Sequence, residues 1–185
     1  MEIDKMTGNY TGNSDDYTSG GLLESHDDEG NNVGNHAFDF GLQAQCGSNL
    51  TLYDQISFNK NGVVLIFFGD PTAKDAEAIF SDLKANIKKF KNRDIGLIAI
   101  DASAPAKNMT FAKKMEIEGR EIIIFYDRNG IVGQKYDAYN GLGWFNFGNH
   151  KTAYYILDKD GVIQYKYVGN MLENQSETLI KEIDK

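Results

Sequence analysis

From residue 37 onward the chain alternates apolar and polar positions in blocks whose period changes from two to 3.6 and back. Phe38, Phe40 and Leu42 alternate, Gly47-Ser48-Asn49 marks a turn, and Leu50 and Leu52 alternate again, which predicts a two-stranded opening hairpin. Val63-Val64-Leu65-Ile66-Phe67-Phe68 is apolar on both faces, as in a strand buried on both sides. Ala76, Ile79, Phe80, Leu83, Ile87 and Phe90 then form one helical stripe, with Asp70 as its expected cap and Pro71 in its first turn. Ile95 to Ile100 predicts a second buried strand. Ala104 to Ile117 predicts a second helix with Met109, Ala112 and Met115 inward, Glu121 to Tyr126 a third strand, and Ile131 to Tyr139 a short helix. Two more strands, Ala153 to Leu157 and Val162 to Val168, flank the turn Asp158-Lys-Asp-Gly161, and a helix from Met171 closes the chain with Leu172, Leu179, Ile180 and Ile183 inward. Strands alternating with helices, then a hairpin and a last helix, describe an α/β domain: a central sheet covered on both faces.

Residues 1–36 break this pattern. They are rich in Gly, Asn, Ser, Thr and Asp and poor in core formers, too little apolar surface to offset the entropy of ordering. The expected organisation is a flexible acidic tail over 1–36 and one domain over 37–185. Most of the net charge of −8 sits in that tail, where eight acids face one base; the remainder carries 19 acids and 18 bases. A nearly neutral domain without clustered Lys and Arg has no electrostatic footprint for nucleic acid. No apolar run approaches the ~20 residues of a membrane span, and the first ten residues have neither the basic start nor the apolar stretch of a signal peptide. A soluble protein is expected, cytoplasmic or exported; oligomeric state is not encoded in any pattern found.

Four stretches, in this order and spacing, resemble a redoxin domain: Ala37-Phe-Asp-Phe40 with Leu50-Thr-Leu52, Asn61-Gly-Val-Val-Leu-Ile-Phe-Phe68, Asp94-Ile-Gly-Leu-Ile-Ala-Ile-Asp101, and Ala153-Tyr-Tyr-Ile-Leu-Asp-Lys-Asp-Gly-Val-Ile163. That group holds the peroxiredoxins of the alkyl hydroperoxide reductase and thiol-specific antioxidant family and the exported thiol–disulfide oxidoreductases. The resemblance implies a thioredoxin-like three-layer fold with a central mixed sheet and helices on both faces. It also implies a thiol at the N-terminus of the first core helix, where unpaired N–H groups and the helix dipole favour the thiolate.

The chain departs from that implication. Thr72-Ala73-Lys74-Asp75 stands where the oxidoreductases carry two cysteines, and a peroxiredoxin-style alignment places the expected thiol near Asp75 to Glu77, where there is none. A threonine hydroxyl is not ionised near neutral pH and no activating base is marked beside Thr72. Before the late hairpin, His150-Lys151-Thr152 replaces the oxidoreductases' cis-proline and the peroxiredoxins' arginine; Lys151 supplies charge without the bidentate fork. Thr72 with Asp75 three residues later reads as capping, with a small-anion site at the helix N-terminus as the alternative.

Cys46 is the one cysteine, too few for an internal disulfide, a CxxC pair or a structural zinc site. It lies in the opening hairpin and reads as a buried or half-buried structural residue, with an unorthodox redox thiol as the alternative. His26, Asp27, Asp28, Glu29 and His36 match no metal template and read as a solvated acidic segment; no metal or cofactor is expected. The loop Asn140-Gly-Leu-Gly-Trp-Phe-Asn-Phe-Gly-Asn149 carries Trp144, Phe145 and Phe147 among glycines, next to Lys151 and Thr152. Its aromatics are read in two ways: a binding patch for a protein or peptide at the groove near Thr72, or a plug filling that groove. The functional expectation is a non-catalytic binding or interaction module, against a thiol-dependent peroxidase or disulfide oxidoreductase using Cys46.

Overall fold

The structure is a computed structural model, and it describes residues 28–117, 121–141 and 148–185. Two short strands, β1 (Glu29–Gly30) and β2 (His36–Ala37), pair with each other. The opening hairpin follows as β3 (Gly41–Ala44) and β4 (Asn49–Thr51), then helix α1 (Leu52–Phe58) and strand β5 (Gly62–Phe67). Next come α2 (Ala76–Lys91), β6 (Ile95–Asp101), α3 (Pro105–Met115), β7 (Ile122–Tyr126) and α4 (Ile131–Lys135). The chain ends with β8 (Tyr139–Gly141), β9 (Gly148–His150), β10 (Thr152–Leu157), β11 (Ile163–Gly169) and α5 (Gln175–Ile183).

Seven strands form one mixed sheet in the order β11-β10-β5-β6-β7-β3-β4. β5, β6 and β7 are parallel, as crossovers through α2 and α3 require, and β10, β11, β3 and β4 are added antiparallel at the flanks. The all-apolar run of β5 is explained by its place: every residue is buried, and successive side chains enter opposite layers. Val63, Leu65 and Phe67 pack with Leu52 and Ile56 of α1 and with Val132 and Tyr136 around α4. Val64, Ile66 and Phe68 pack with Ile79, Phe80 and Leu83 of α2, Phe111 of α3 and Leu179 of α5. Gly62 opens the strand at φ +113°, and a Cβ there would stand 2.0 Å from the Leu157 carbonyl oxygen, so β5 pairs with β10 at its start only because residue 62 has no side chain.

Several expectations are corrected. Leu52 begins α1 instead of continuing the hairpin: Thr51 Oγ1 accepts from the Asp54 N–H at 3.0 Å, a side-chain cap that turns the chain out of the sheet. α2 starts at Ala76, not beside Pro71, and Asp75 at its N-cap makes no side-chain capping bond. In α3 the buried positions are Asn108, Phe111 and Ala112, and Met109 is only half-buried. The helix expected to reach Tyr139 ends at Lys135, and Tyr139 begins a hairpin with β9. Residues 28–36, assigned to the tail by composition, are instead bonded to the domain. Gly34 N donates to the Ile163 oxygen, Ile163 N to the Asn35 oxygen, and the Asn31 amide to Lys135 O and Asp137 Oδ2.

Candidate functional site

The C-terminal ends of β5, β6 and β7 open onto one groove of about 650 Å³, lined by Gly69, Asp70, Ala102, Ser103, Arg128, Tyr139, Asn140, Gly148, Asn149 and His150. Its place follows from topology: loops leaving parallel strands diverge there toward helices on opposite faces.

The first wall is the loop after β5. Asp70 Oδ1 accepts from the Thr72 N–H at 2.6 Å and from the Thr72 hydroxyl, and Oδ2 accepts from Lys107 Nζ at 2.5 Å and Ser103 Oγ at 3.2 Å. Partial burial pushes the Asp70 carboxyl up, but the hydrogen bonds from Lys107 and Thr72 outweigh it and hold the group down at about 2. Two turns, Ala73 N to Asp70 O and Ala76 N to Ala73 O, then carry the chain into α2. The expected capping by Thr72 and Asp75 is therefore corrected: Thr72 serves Asp70, and Thr72, Ala73, Lys74 and Asp75 are all exposed.

The second wall is the end of β6. Asp101 is fully buried, its backbone oxygen accepting from Asp127 N at 2.7 Å. Asn108 Nδ2 reaches Asp101 Oδ1 at 2.6 Å and the Ser103 oxygen at 3.0 Å, while Asp101 Oδ2 and Asn108 Oδ1 are buried without partners. Burial drives the Asp101 carboxyl up to about 7 against the opposing bonds from Asn108 and Ser103.

The third wall joins the turn after β7 to the β8–β9 hairpin. Asp127 accepts from the N–H groups of Val132 and Gly133 at 3.3 and 2.8 Å and from His150 Nε2 at 3.0 Å, with both side chains wholly buried. The His150 ring stacks on Phe67 with centroids 5.7 Å apart and meets Tyr139 edge-on; its Nδ1 is buried without a partner. Gly133 permits this approach, since a Cβ there would stand 2.5 Å from the imidazole. Gly130, at φ +65°, lies under the Tyr139 ring, where a Cβ would fall 2.3 Å from ring carbon. Between these two clamps Arg128 stands exposed on the groove.

Of the residues expected at the site, none of Thr72, Ala73, Lys74, Asp75, Lys151 or Thr152 lines the groove; their neighbours Gly69, Asp70 and His150 do. Lys151 is half-buried and donates its N–H to the Ala138 oxygen, and Thr152 pairs with Gly169 in the sheet. Trp144, Phe145 and Phe147 lie outside the described residues. The arms of their loop, Tyr139–Gly141 and Gly148–His150, flank the groove. Cys46 is exposed, not buried. It follows Gln45, whose N–H and side chain bond the Ile124 and Ile122 oxygens, so it sits where β7 begins. The groove is at the other end of the strands, roughly 16 Å away for five residues of β7. Asp28 pairs with His36 Nδ1 at 2.6 Å, and among the described residues no three His, Cys, Asp or Glu side chains converge as a metal site.

Asp101, Asp127 and Arg128 were not among the expected site residues, and His150 entered only as the neighbour of Lys151 and Thr152 before the late hairpin. One signal pointed to the first three: polar residues directly after a buried strand, in Ile-Asp101 and Tyr-Asp127-Arg128, are where an open α/β sheet presents side chains to a ligand.

The fold matches solved structures of peroxiredoxins. Peroxidoxin BcpB from Mycobacterium tuberculosis superposes with a TM-score of 0.73 at 17% identity, covering 82% of this chain and 96% of that one. A cysteine-to-serine mutant of PrxQ from Xylella fastidiosa gives 0.69 at 12% identity over 87% and 98%. Reduced 2-Cys peroxiredoxin from Plasmodium vivax gives 0.66 at 18% identity over 82% and 94%. At these identities the likeness is one of fold. No curated protein matches the chain. The model of the AhpC/TSA family matches residues 33–166, which span β2 through most of β11 and include every residue lining the groove, and the chain therefore belongs to the AhpC/TSA family, with its thioredoxin-like fold.

Proposed function

We propose that this chain is a non-catalytic member of its family, a binding module whose ligand or partner segment enters the groove at the ends of β5, β6 and β7. The observation that carries this reading is the position of the only thiol. Reduction of a peroxide or disulfide by a redoxin domain needs a thiolate held by free N–H groups at the start of the first core helix. Thr72 to Asp75 occupy that stretch, and Cys46 is exposed at the opposite end of the sheet. The walls of the groove are instead built from hydrogen-bonded carboxylates and fixed turns, the construction of a positioned surface.

The Thr72 region does not favour an anion. Asp70, held ionised, already takes the Thr72 N–H and hydroxyl and the Lys107 ammonium, so a second anion there would meet a carboxylate.

The test is an assay of peroxide and of disulfide reduction by the purified protein beside Cys46→Ala. Background rates in both are expected. Turnover that disappears in Cys46→Ala would make the protein a thiol enzyme with a displaced nucleophile and overturn the proposal.

A further inference from the structure

Arg128 is the one groove-lining side chain whose charge has no counter-charge among the described residues. Asp70 faces Lys107, and Asp127 holds His150. Arg93, by contrast, is spent in a two-pronged bond to Asp184 at 2.7 Å on each arm. The Arg128 backbone is not free to wander. The residue before it is fixed through three bonds to the Asp127 carboxylate, and Gly130, two residues on, is pressed against the Tyr139 ring. The turn fixes where the Arg128 side chain starts, and the planar fork of a guanidinium loses less freedom per hydrogen bond formed than a lysine ammonium does.

What surrounds it is polar and equally unspent. Asn140 and Asn149 lie directly opposite each other in the β8–β9 pairing, which puts their side chains on one face of the hairpin, and both are exposed on the groove. His150 lines the same groove with its imidazole wholly buried against Asp127 and Phe67.

We infer that the groove binds a carboxylate group, held by the Arg128 guanidinium and flanked by the Asn140 and Asn149 amides. This rests on the groove's being a binding site and names the chemistry it takes. A carboxylate matches the fork in plane and spacing. Its source is a small acid or the C-terminus of a peptide, and both present the same two oxygens.

The full chain, 15N-labelled, is titrated with succinate, with N-acetyl-trialanine as the free acid, with the same tripeptide amidated, and with inorganic phosphate. Saturable shifts of the Gly69, Ser103, Arg128, Asn140 and Asn149 amides are expected with at least one of the two acids and none with the amide. Binding of succinate assigns a small-molecule source; binding of the peptide acid alone assigns a chain terminus. Arg128→Gln, at an exposed position, should weaken the bound acid by at least about tenfold and leave the spectrum otherwise folded. Silence with both acids, an equal response to the amide, tighter binding of phosphate, or full affinity in Arg128→Gln would each overturn the inference. A silent titration together with background peroxide turnover removes the carboxylate and leaves the non-catalytic reading standing; turnover dependent on Cys46 removes that reading whatever the titration gives.

Discussion

Asp127 Oδ2 and His150 Nε2 meet at 3.0 Å with no exposure of either side chain, and this one contact ties the turn after β7 to the strand that leads into β10. Removing one partner leaves the other's polar group buried and unanswered. For Asp127 the loss is compounded, because the Val132 and Gly133 N–H groups lose their acceptor as well. Asp127→Ala should cost about 3–5 kcal/mol of stability. Urea denaturation of the two proteins checks this; a difference below about 1 kcal/mol would show that the pair contributes only position.

Asp70 makes stability depend on acid in a defined direction. Its carboxyl sits at about 2 in the folded chain against 3.8 without its partners, so folding favours the ionised form. The contribution is fully present above pH 3.8 and is lost as pH falls toward 2. Asp70→Asn should therefore be less stable by about 1 kcal/mol near pH 6, a figure discounted for the partial exposure of the Asp70–Lys107 pair. The difference should shrink toward zero between pH 4 and 2. A gap independent of pH would assign the effect to packing.

The layers were legible in the sequence because burial on both faces leaves an unmistakable signature: β5 and α2 each follow from one run of apolar residues. The groove was legible only by location. Nothing in the string His150-Lys-Thr152 tells which of three adjacent residues turns inward, since in a strand neighbours point to opposite faces and one step of register exchanges them. The Asp127–His150 pair spans 23 residues, and Asn31 reaches Asp137 across 106, so no local pattern carries either contact. α1 was hidden for a different reason. Leu50 and Leu52 continue an alternation, and the helix begins because Thr51 caps it, a signal that a hydrophobic pattern does not weigh.

The boundary of the tail is open to the same kind of measurement. Deleting residues 1–27 should leave the melting temperature within a few degrees, since that stretch is poor in apolar side chains. Deleting 1–36 also removes the Gly34 and Asn35 backbone bonds to Ile163, the Asn31 bonds to Lys135 and Asp137, and the Asp28–His36 pair. At ~1 kcal/mol for a typical bond, with surface ones worth less, about 2–3 kcal/mol and roughly 5–10 °C should go. Equal melting temperatures for the two deletions would return the boundary to residue 36.

Asp101 gives the opposite dependence from Asp70. Burial raises its carboxyl from 3.8 to about 7, so the folded chain holds a proton that the unfolded chain has released. Between pH 4 and 7 the unfolded state gains by ionising while the folded state cannot, and stability falls through that window and levels off above it. The neutral amide of Asn at this position keeps an acceptor for Asn108 Nδ2 and brings a donor to a pocket where Asn108 Oδ1 is an unpartnered acceptor. It also escapes the cost of a buried charge. Asp101→Asn should therefore match the parent near pH 4 and exceed it at pH 8 by about 2 kcal/mol, with the gain rising across the interval between. Chemical denaturation at pH 4.5, 6 and 8 reads this directly. A variant that is less stable at pH 8, or whose difference does not change with pH, would show that Asp101 is ionised in the folded chain and that its charge is answered by the bonds from Asn108 and Ser103.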